Sequence, residues 1–214
     1  MTAPIVQTHA GIWVVRDDLH PGGTKARFIG QVFDGVQEAV YASPPEGGAQ
    51  TALAHVARAL GKKAPIFVAQ RAKPHARTLE AARMGAKVVS VSPGYLTVVQ
   101  SRARQYCRDS GASLIPFGAD IPGSVEALAA AALATGLEPD EVWCAAGSGV
   151  WRGVSRLLGR KPGGTLCRSG ENWRGRMSPG PAFTSVCGRL GRWRSSGRRS
   201  RQICTMMRRL RNCA

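Results

Sequence analysis

Short runs of β-branched and other apolar residues recur along the first 150 positions of the chain. Each run is only a few residues long, which is typical of a strand buried inside a sheet. Turn-forming residues separate each run from the helical pattern that follows it, so the runs are discrete elements. The predicted strands are AVYAS at 39–43, PIFVA at 65–69, KVVSVS at 87–92, SLIPF at 113–117 and EVWCAA at 141–146.

Between these strands, apolar residues repeat every three or four positions, which indicates amphipathic helices with one face to bury. The repeats are Leu53, Val56, Ala57 and Leu60; Leu96, Val99, Ala103 and Tyr106; and Val125, Leu128, Ala129, Ala132 and Leu133. A glycine follows each helical stretch, where a left-handed cap favours it. These glycines are Gly61, Gly85, Gly111 and Gly136. Alternating strands and helices predict an α/β fold with parallel strands and helical crossovers.

The overall composition is that of a globular protein, with 43% hydrophobic and 20% charged residues among 214. No apolar run approaches the roughly 18 residues that a membrane helix needs. The first residues also lack the basic start and apolar stretch of a secretory signal. We therefore expect a cytoplasmic protein without a membrane partner. The six cysteines have no spacing typical of disulfide frameworks or zinc sites, which predicts free thiols and no metal.

Positive charge is concentrated at the end of the chain. Residues 1–150 carry 14 Lys and Arg against 12 Asp and Glu, a net of +2, whereas residues 151–214 carry 16 against 1, a net of +15. Segments such as RSSGRRSRQ are low in complexity and show no alternation of strands and helices. One interpretation is a genuine tail that binds RNA or DNA nonspecifically through phosphate contacts.

The other interpretation of residues 151–214 is GC-rich coding sequence translated in a shifted frame. In such a frame arginine, glycine, serine, cysteine and tryptophan become common, while lysine stays rare. The change in composition falls directly after GSGV, inside a glycine loop. A junction between evolved domains should instead fall in a linker between compact units. We therefore favour a frameshift or a truncation over a genuine tail.

Two glycine loops lie where a doubly wound sheet binds ligands, between a strand and the next helix. The loop AAGSGV at 145–150 has amides that would suit a phosphate, or it is an ordinary tight turn. It lacks both the dinucleotide-binding fingerprint and the lysine of a P-loop. The loop EGGAQT at 46–51 would suit a carboxylate, with Gln50 and Thr51 as side-chain donors, or it is a plain N-cap turn.

A third loop, HPGGTK at 20–25, places Lys25 behind two glycines. A lysine beside a phosphate cradle can form a Schiff base with an aldehyde cofactor. Pyridoxal 5'-phosphate (PLP) combines an aldehyde and a phosphate in one small molecule. The alternative is a lysine on a solvated helix face. The three loops together favour a PLP site.

Three segments resemble the tryptophan-synthase-β-like, or fold type II, PLP-dependent enzymes. IWVVRDDLHPGGTKARFIG is similar to the lysine segment of that family, and EGGAQTALAHVARALG to its substrate-carboxylate loop and following helix. AAGSGV stands where the family has its phosphate loop. The order and spacing match over about residues 3–150, and the lysine segment is nearest to aminocyclopropane-carboxylate deaminase and D-cysteine desulfhydrase.

The resemblance implies elimination, replacement or deamination on a small amino-acid substrate, in a homodimer. Lys25 would hold PLP as a Schiff base and later move the Cα proton. Residues that would bind the substrate carboxylate are Gly47, Gly48, Ala49, Gln50 and Thr51, and those that would bind the cofactor phosphate are Gly147, Ser148 and Gly149.

Two positions depart from the nearest subgroup, and they leave the substrate open. That subgroup usually has Asn before the lysine and a Ser-Asn pair in the substrate loop, where this chain has Thr24 and Ala49-Gln50. The neighbouring charged residues of the lysine segment are expected to form structural ion pairs. Two histidines within predicted helices are expected to be helix-surface or packing residues rather than catalytic bases. These residues are Arg16, Asp17 and Asp18, and His55 and His75.

The predicted domains follow from these segments. Residues 1–42 begin the large cofactor domain, 43–140 form a small α/β domain, 141–150 return to the cofactor domain, and 151–214 form the arginine-rich tail. The family would continue beyond Val150 with a helix and further strands, which the tail does not resemble. We therefore expect the strand at 141–146 to lack neighbours, and the chain as written to bind PLP weakly or not at all.

Overall fold

The computed structural model of this protein describes residues 3–9, 11–92, 94–139, 141–144, 154 and 205–208. The strands there are β1 (Val6–His9), β2 (Ile12–Val15), β3 (Ala39–Ala42), β4 (Ile66–Ala69), β5 (Val88–Val91), β6 (Ser113–Ile115), β7 (Glu141–Cys144) and β8 (Thr205–Arg208). The α-helices are α1 (Ala49–Leu60), α2 (Ala76–Arg83), α3 (Leu96–Ser110) and α4 (Ser124–Leu133). Short 3-10 helices span Thr24–Arg27, Ile29–Phe33 and Phe117–Ala119. No helix in these ranges is long and apolar enough to cross a membrane.

A parallel four-stranded sheet, in the order β5-β4-β3-β6, confirms the predicted α/β fold. Its strands are joined by helical crossovers, as the alternation of sequence patterns predicted. All four residues of β3 are buried, because this strand lies inside the sheet and is covered on both faces.

The two faces of the sheet pack into separate apolar layers. Ala39 and Tyr41 of β3 lie in the layer that contains Leu53 of α1. Val40 of β3 lies in the opposite layer with Val99 of α3. Successive residues of a strand point to opposite faces, so the run AVYA contributes to both layers.

Most of the predicted helix faces are buried, but two leucines are not. Leu60 is 51% exposed and Leu133 is 67% exposed. Leu60 is the last residue of α1, and Leu133 is the last residue of α4. At these two helix ends the apolar face no longer packs against the core. The predicted left-handed cap is confirmed at Gly61, whose φ is 64° and whose N–H bonds to carbonyls of the last turn of α1.

A second sheet, in the order β1-β2-β8-β7, differs from the sequence prediction. The strand near 141–146 was predicted to be parallel and to lack neighbours, but β7 pairs antiparallel with β8. β8 also pairs antiparallel with β2. The tail was expected to show no alternation of strands and helices, and the apolar pair Met206–Met207 between polar residues is too short to show an alternating pattern.

Candidate functional site

Lys25 lies in the 3-10 helix Thr24–Arg27, directly after two glycines with left-handed φ angles. Its side chain is half-buried, and Nζ donates a hydrogen bond to the carbonyl oxygen of Gly118 at 2.6 Å. Nζ also lies 5.9 Å from the centre of the Phe28 ring. Lys25 therefore lies on a short 3-10 helix with its side chain partly withdrawn from solvent.

Burial favours the neutral form of the Lys25 amine. Burial lowers the pKa of Lys25 below its ordinary value, because the charged form loses water, and the Asp120 carboxylate opposes this shift. Only the neutral amine attacks a carbonyl. At a given pH a larger share of Lys25 is therefore neutral than of an exposed lysine, which is the direction of change that a Schiff-base lysine needs.

Gly22 brings the lysine segment against α1. Its φ is 77°, and a Cβ there would lie 2.9 Å from the Cβ of Ala26 and 3.2 Å from the Cβ of His55. Only glycine allows this backbone conformation and this close approach together. The structure thus places the Lys25 turn alongside the helix that follows the predicted carboxylate loop.

Two ion pairs stabilise the segment around Lys25, which confirms the structural role predicted for its charged residues. Arg16 bonds to Asp18, with Nη2 at 2.6 Å from Oδ2. Arg27 bonds to Asp17, with Nη2 at 2.7 Å from Oδ1. Sequence reasoning missed Arg27, although its place two residues after Lys25 puts it on the same short helix.

The predicted carboxylate loop leads into α1, and its side chains stabilise the loop itself. Gln50 is fully buried, donates from Nε2 to the Pro45 carbonyl at 2.9 Å and accepts from Thr78 Oγ1 at 3.1 Å. Thr51 Oγ1 donates to the Gly48 carbonyl at 3.0 Å. Ala49 is also buried. The groups of this loop that could bind a carboxylate are therefore chiefly the backbone N–H groups at the start of α1. The first N–H groups of a helix have no carbonyl acceptor within the helix itself.

Gly47 has no room for a side chain. A Cβ there would lie 2.5 Å from Ser43 Oγ and 3.1 Å from the Pro44 carbonyl oxygen. We expect Gly47→Ala to lower the free energy of unfolding by about 1 to 3 kcal/mol, because the loop must shift to accept the methyl group. Urea denaturation measures this loss. The control is Gly30→Ala, whose Cβ would have Val56 Cγ1 as its nearest contact at 3.5 Å; equal losses would contradict the prediction.

Arg77 adds a cation beside the carboxylate loop. Its Nη1 donates to the Glu46 carbonyl at 2.9 Å and would lie 2.8 Å from a Cβ on Gly48. Sequence reasoning missed this residue, because it lies in α2, far along the chain from the loop. His75, predicted to lie within a helix as a surface or packing residue, instead caps α2 by accepting a hydrogen bond at Nδ1 from the Arg77 N–H.

The described residues include a group that suits the aldehyde of PLP, but not the residues predicted to bind its phosphate. A half-buried amine of lowered pKa suits the aldehyde, and the Lys25 turn lies against α1. The residues predicted to bind the phosphate, Gly147, Ser148 and Gly149, lie outside the described residues. Their role therefore stays a prediction.

Comparison with known proteins finds likeness only among solved structures. No family model and no curated protein matches the chain. A homologue of ACC deaminase is 19% identical with a TM-score of 0.60, over 83% of this chain and 59% of its own. A threonine deaminase from T.th. is 22% identical with a TM-score of 0.55, over 67% and 48%. A pyridoxal 5'-phosphate-dependent aspartate racemase is 17% identical with a TM-score of 0.55, over 67% and 46%.

These similarities confirm the fold that the three sequence segments predicted. Over the matched part of the chain, the fold is that of the fold type II PLP enzymes. The chain spans about half the length of these structures, from 46% to 59%.

Proposed function

We propose that this protein is built for PLP-dependent chemistry on a small amino acid, by elimination, replacement or deamination, with Lys25 as the Schiff-base lysine. One observation carries the proposal. Lys25 is a half-buried amine of lowered pKa, held at 2.6 Å from the Gly118 carbonyl oxygen beside α1. Likeness to solved structures that include a pyridoxal 5'-phosphate-dependent racemase supports the choice of cofactor.

PLP, when bound, supplies an aldehyde for the lysine and an electron sink for the electrons of a broken Cα bond. Lys25 would hold that aldehyde through Nζ, and the neutral amine of Lys25 would take and hold the proton of the substrate Cα. Burial lowers the pKa of Lys25, and this shift would favour both roles, because each begins from a neutral amine.

The carboxylate loop orients the substrate in this proposal. The first amides of α1 and the positive end of the helix dipole attract the substrate carboxylate. Gln50 and Thr51 keep the loop in place through their bonds to Pro45, Thr78 and Gly48. Gly147, Ser148 and Gly149 are the proposed phosphate ligands.

The chain as written is, in this proposal, impaired in cofactor binding. Phosphate binding needs several preoriented donors, and residues 151–214 do not resemble the part of the family that supports the phosphate loop. Equilibrium dialysis of the full chain against PLP should show weak binding. Assays for ammonia and 2-oxo acids with small amino acids should show no turnover. Stoichiometric binding with turnover would contradict the impairment and support the PLP function itself.

The coding DNA beyond codon 150 distinguishes the two interpretations of the tail. If a one-nucleotide shift restores alternating strands and helices, the restored protein should bind PLP stoichiometrically and turn over an amino acid. If neither other frame does so, residues 151–214 are a genuine segment. The second candidate function, nonspecific nucleic-acid binding, would then gain support from the +15 net charge of that segment.

A further inference from the structure

Two neighbouring residues of helix α2 hold two neighbouring carbonyls where the carboxylate loop begins. Arg77 Nη1 donates a hydrogen bond to the Glu46 carbonyl oxygen at 2.9 Å, across 31 positions of the chain. Thr78 Oγ1 donates at 3.1 Å to Oε1 of the buried Gln50, whose Nε2 donates at 2.9 Å to the Pro45 carbonyl oxygen. The loop is therefore attached to α2 at two consecutive positions.

The guanidinium of Arg77 lies where a capping side chain of α1 would otherwise be. Gly48 is the N-cap residue of α1, and a Cβ on Gly48 would lie 2.8 Å from Arg77 Nη1. An N-cap Ser, Thr, Asn or Asp accepts a hydrogen bond from the first N–H groups of its helix. Gly48 has no side chain that could accept one. A guanidinium only donates, so Arg77 does not replace the missing acceptor.

Positive charge is therefore concentrated at the start of α1. The dipole of a helix places about half an elementary charge at its N-terminus, and Arg77 adds a full charge beside Gly48. The first turns of α1 and α2, both in the part of the chain that the structure describes, contain no acidic residue. Glu46 is exposed, so water and salt screen its carboxylate. This arrangement favours an anion whose oxygen atoms accept hydrogen bonds.

We propose that Arg77 is a positioning residue for the substrate carboxylate: its guanidinium holds the carboxylate loop at Glu46 and places a positive charge beside Gly48. This inference rests on the proposed function in taking that loop as the carboxylate site. Arg77 acts through the loop and through its charge, while the N–H groups at the start of α1 bind the carboxylate itself. His75 keeps the backbone of Arg77 in place, because its Nδ1 accepts from the Arg77 N–H at 3.2 Å.

Titration of the full chain with sodium propionate tests this role, because propionate is a carboxylate that needs no PLP. Chemical shifts of the Ala49, Gln50 and Thr51 amides in the ¹⁵N-labelled chain give the dissociation constant at constant ionic strength. In Arg77→Met this constant should rise about tenfold, because a positive charge beside a partly exposed site is lost. Arg77→Gln, neutral but polar, should show the same rise. Arg77→Lys keeps the charge and a donor and should stay within about threefold of the wild type.

The matched control is Arg83→Met, which removes a charge from the last residue of the same helix and should leave the dissociation constant unchanged. Propionamide, the uncharged analogue of propionate, should not shift the three amides in any of these proteins. Added sodium chloride should weaken propionate binding more in the wild type than in Arg77→Met. A purely structural role of Arg77 would not produce this difference in salt dependence.

Three results would overturn the inference. They are the absence of propionate-dependent shifts at the start of α1 in the wild type, an unchanged dissociation constant in Arg77→Met, and equal rises in Arg77→Met and Arg83→Met.

Borohydride trapping of PLP on Lys25 separates this inference from the proposed function, because the trapping does not depend on Arg77. If propionate binding depends on Arg77 but PLP does not react with Lys25, the proposed function fails and the role of Arg77 at the loop stands. If PLP reacts with Lys25 while propionate binding is independent of Arg77, the proposed function stands and this inference fails.

Discussion

Replacement of Lys25 by alanine is expected to abolish the specific trapping of PLP by borohydride in this chain. The wild-type chain, incubated with excess PLP and then reduced, should retain cofactor covalently, because reduction makes even a weakly populated Schiff base permanent. Lys25→Ala removes the half-buried amine whose pKa burial lowers. Absorbance of the reduced pyridoxyl group after gel filtration measures the retained cofactor.

The control for this variant is Lys62→Ala. Lys62 also donates from Nζ to a backbone carbonyl, that of Val36, at 3.0 Å, but it lies outside the proposed site. The control should retain as much cofactor as the wild type. If Lys25→Ala retains the same amount of PLP, Lys25 is not the Schiff-base lysine, and Lys62 and Lys63 would have to be tested in its place.

Replacement of Asp17 by asparagine is expected to lower the free energy of unfolding more than replacement of Gly47 or Asp18. The side chains of Arg27 and Asp17 are only 3% and 5% exposed, so the variant leaves a buried guanidinium without its carboxylate. Breaking such a pair on one side destabilises a protein by about 3 to 5 kcal/mol. Urea unfolding followed by circular dichroism measures the loss.

The neighbouring ion pair provides the comparison for Asp17. Arg16 and Asp18 have side chains that are 12% and 16% exposed, so water partly replaces a lost partner. Asp18→Asn should therefore cost less than half as much as Asp17→Asn. Equal losses would show that burial of the Asp17 pair does not govern its contribution.

The parallel sheet could be predicted from sequence because each of its strands is a short apolar run, buried on at least one face. The run AVYAS predicted a strand at 39–43, and the observed strand β3 ends one residue earlier, at Ala42. The second sheet could not be predicted in the same way. β8 contains only two apolar residues, and its pairing with β2 joins residues that lie far apart in the chain.

The site was predictable only where its residues are close in sequence. Lys25 and the glycines before it form one segment, as do the residues of the carboxylate loop. The bond from Lys25 to Gly118 spans 93 positions and ends on a backbone carbonyl, which has no signature in residue type.

Peptide mapping of the wild-type chain after incubation with PLP and reduction by borohydride tests the central claim most directly. The account predicts that the phosphopyridoxyl group is found on Lys25, and that prior labelling of Lys25 prevents its attachment. Attachment to Lys62 or Lys63 in preference to Lys25, or an even distribution over the lysines of the chain, would contradict it.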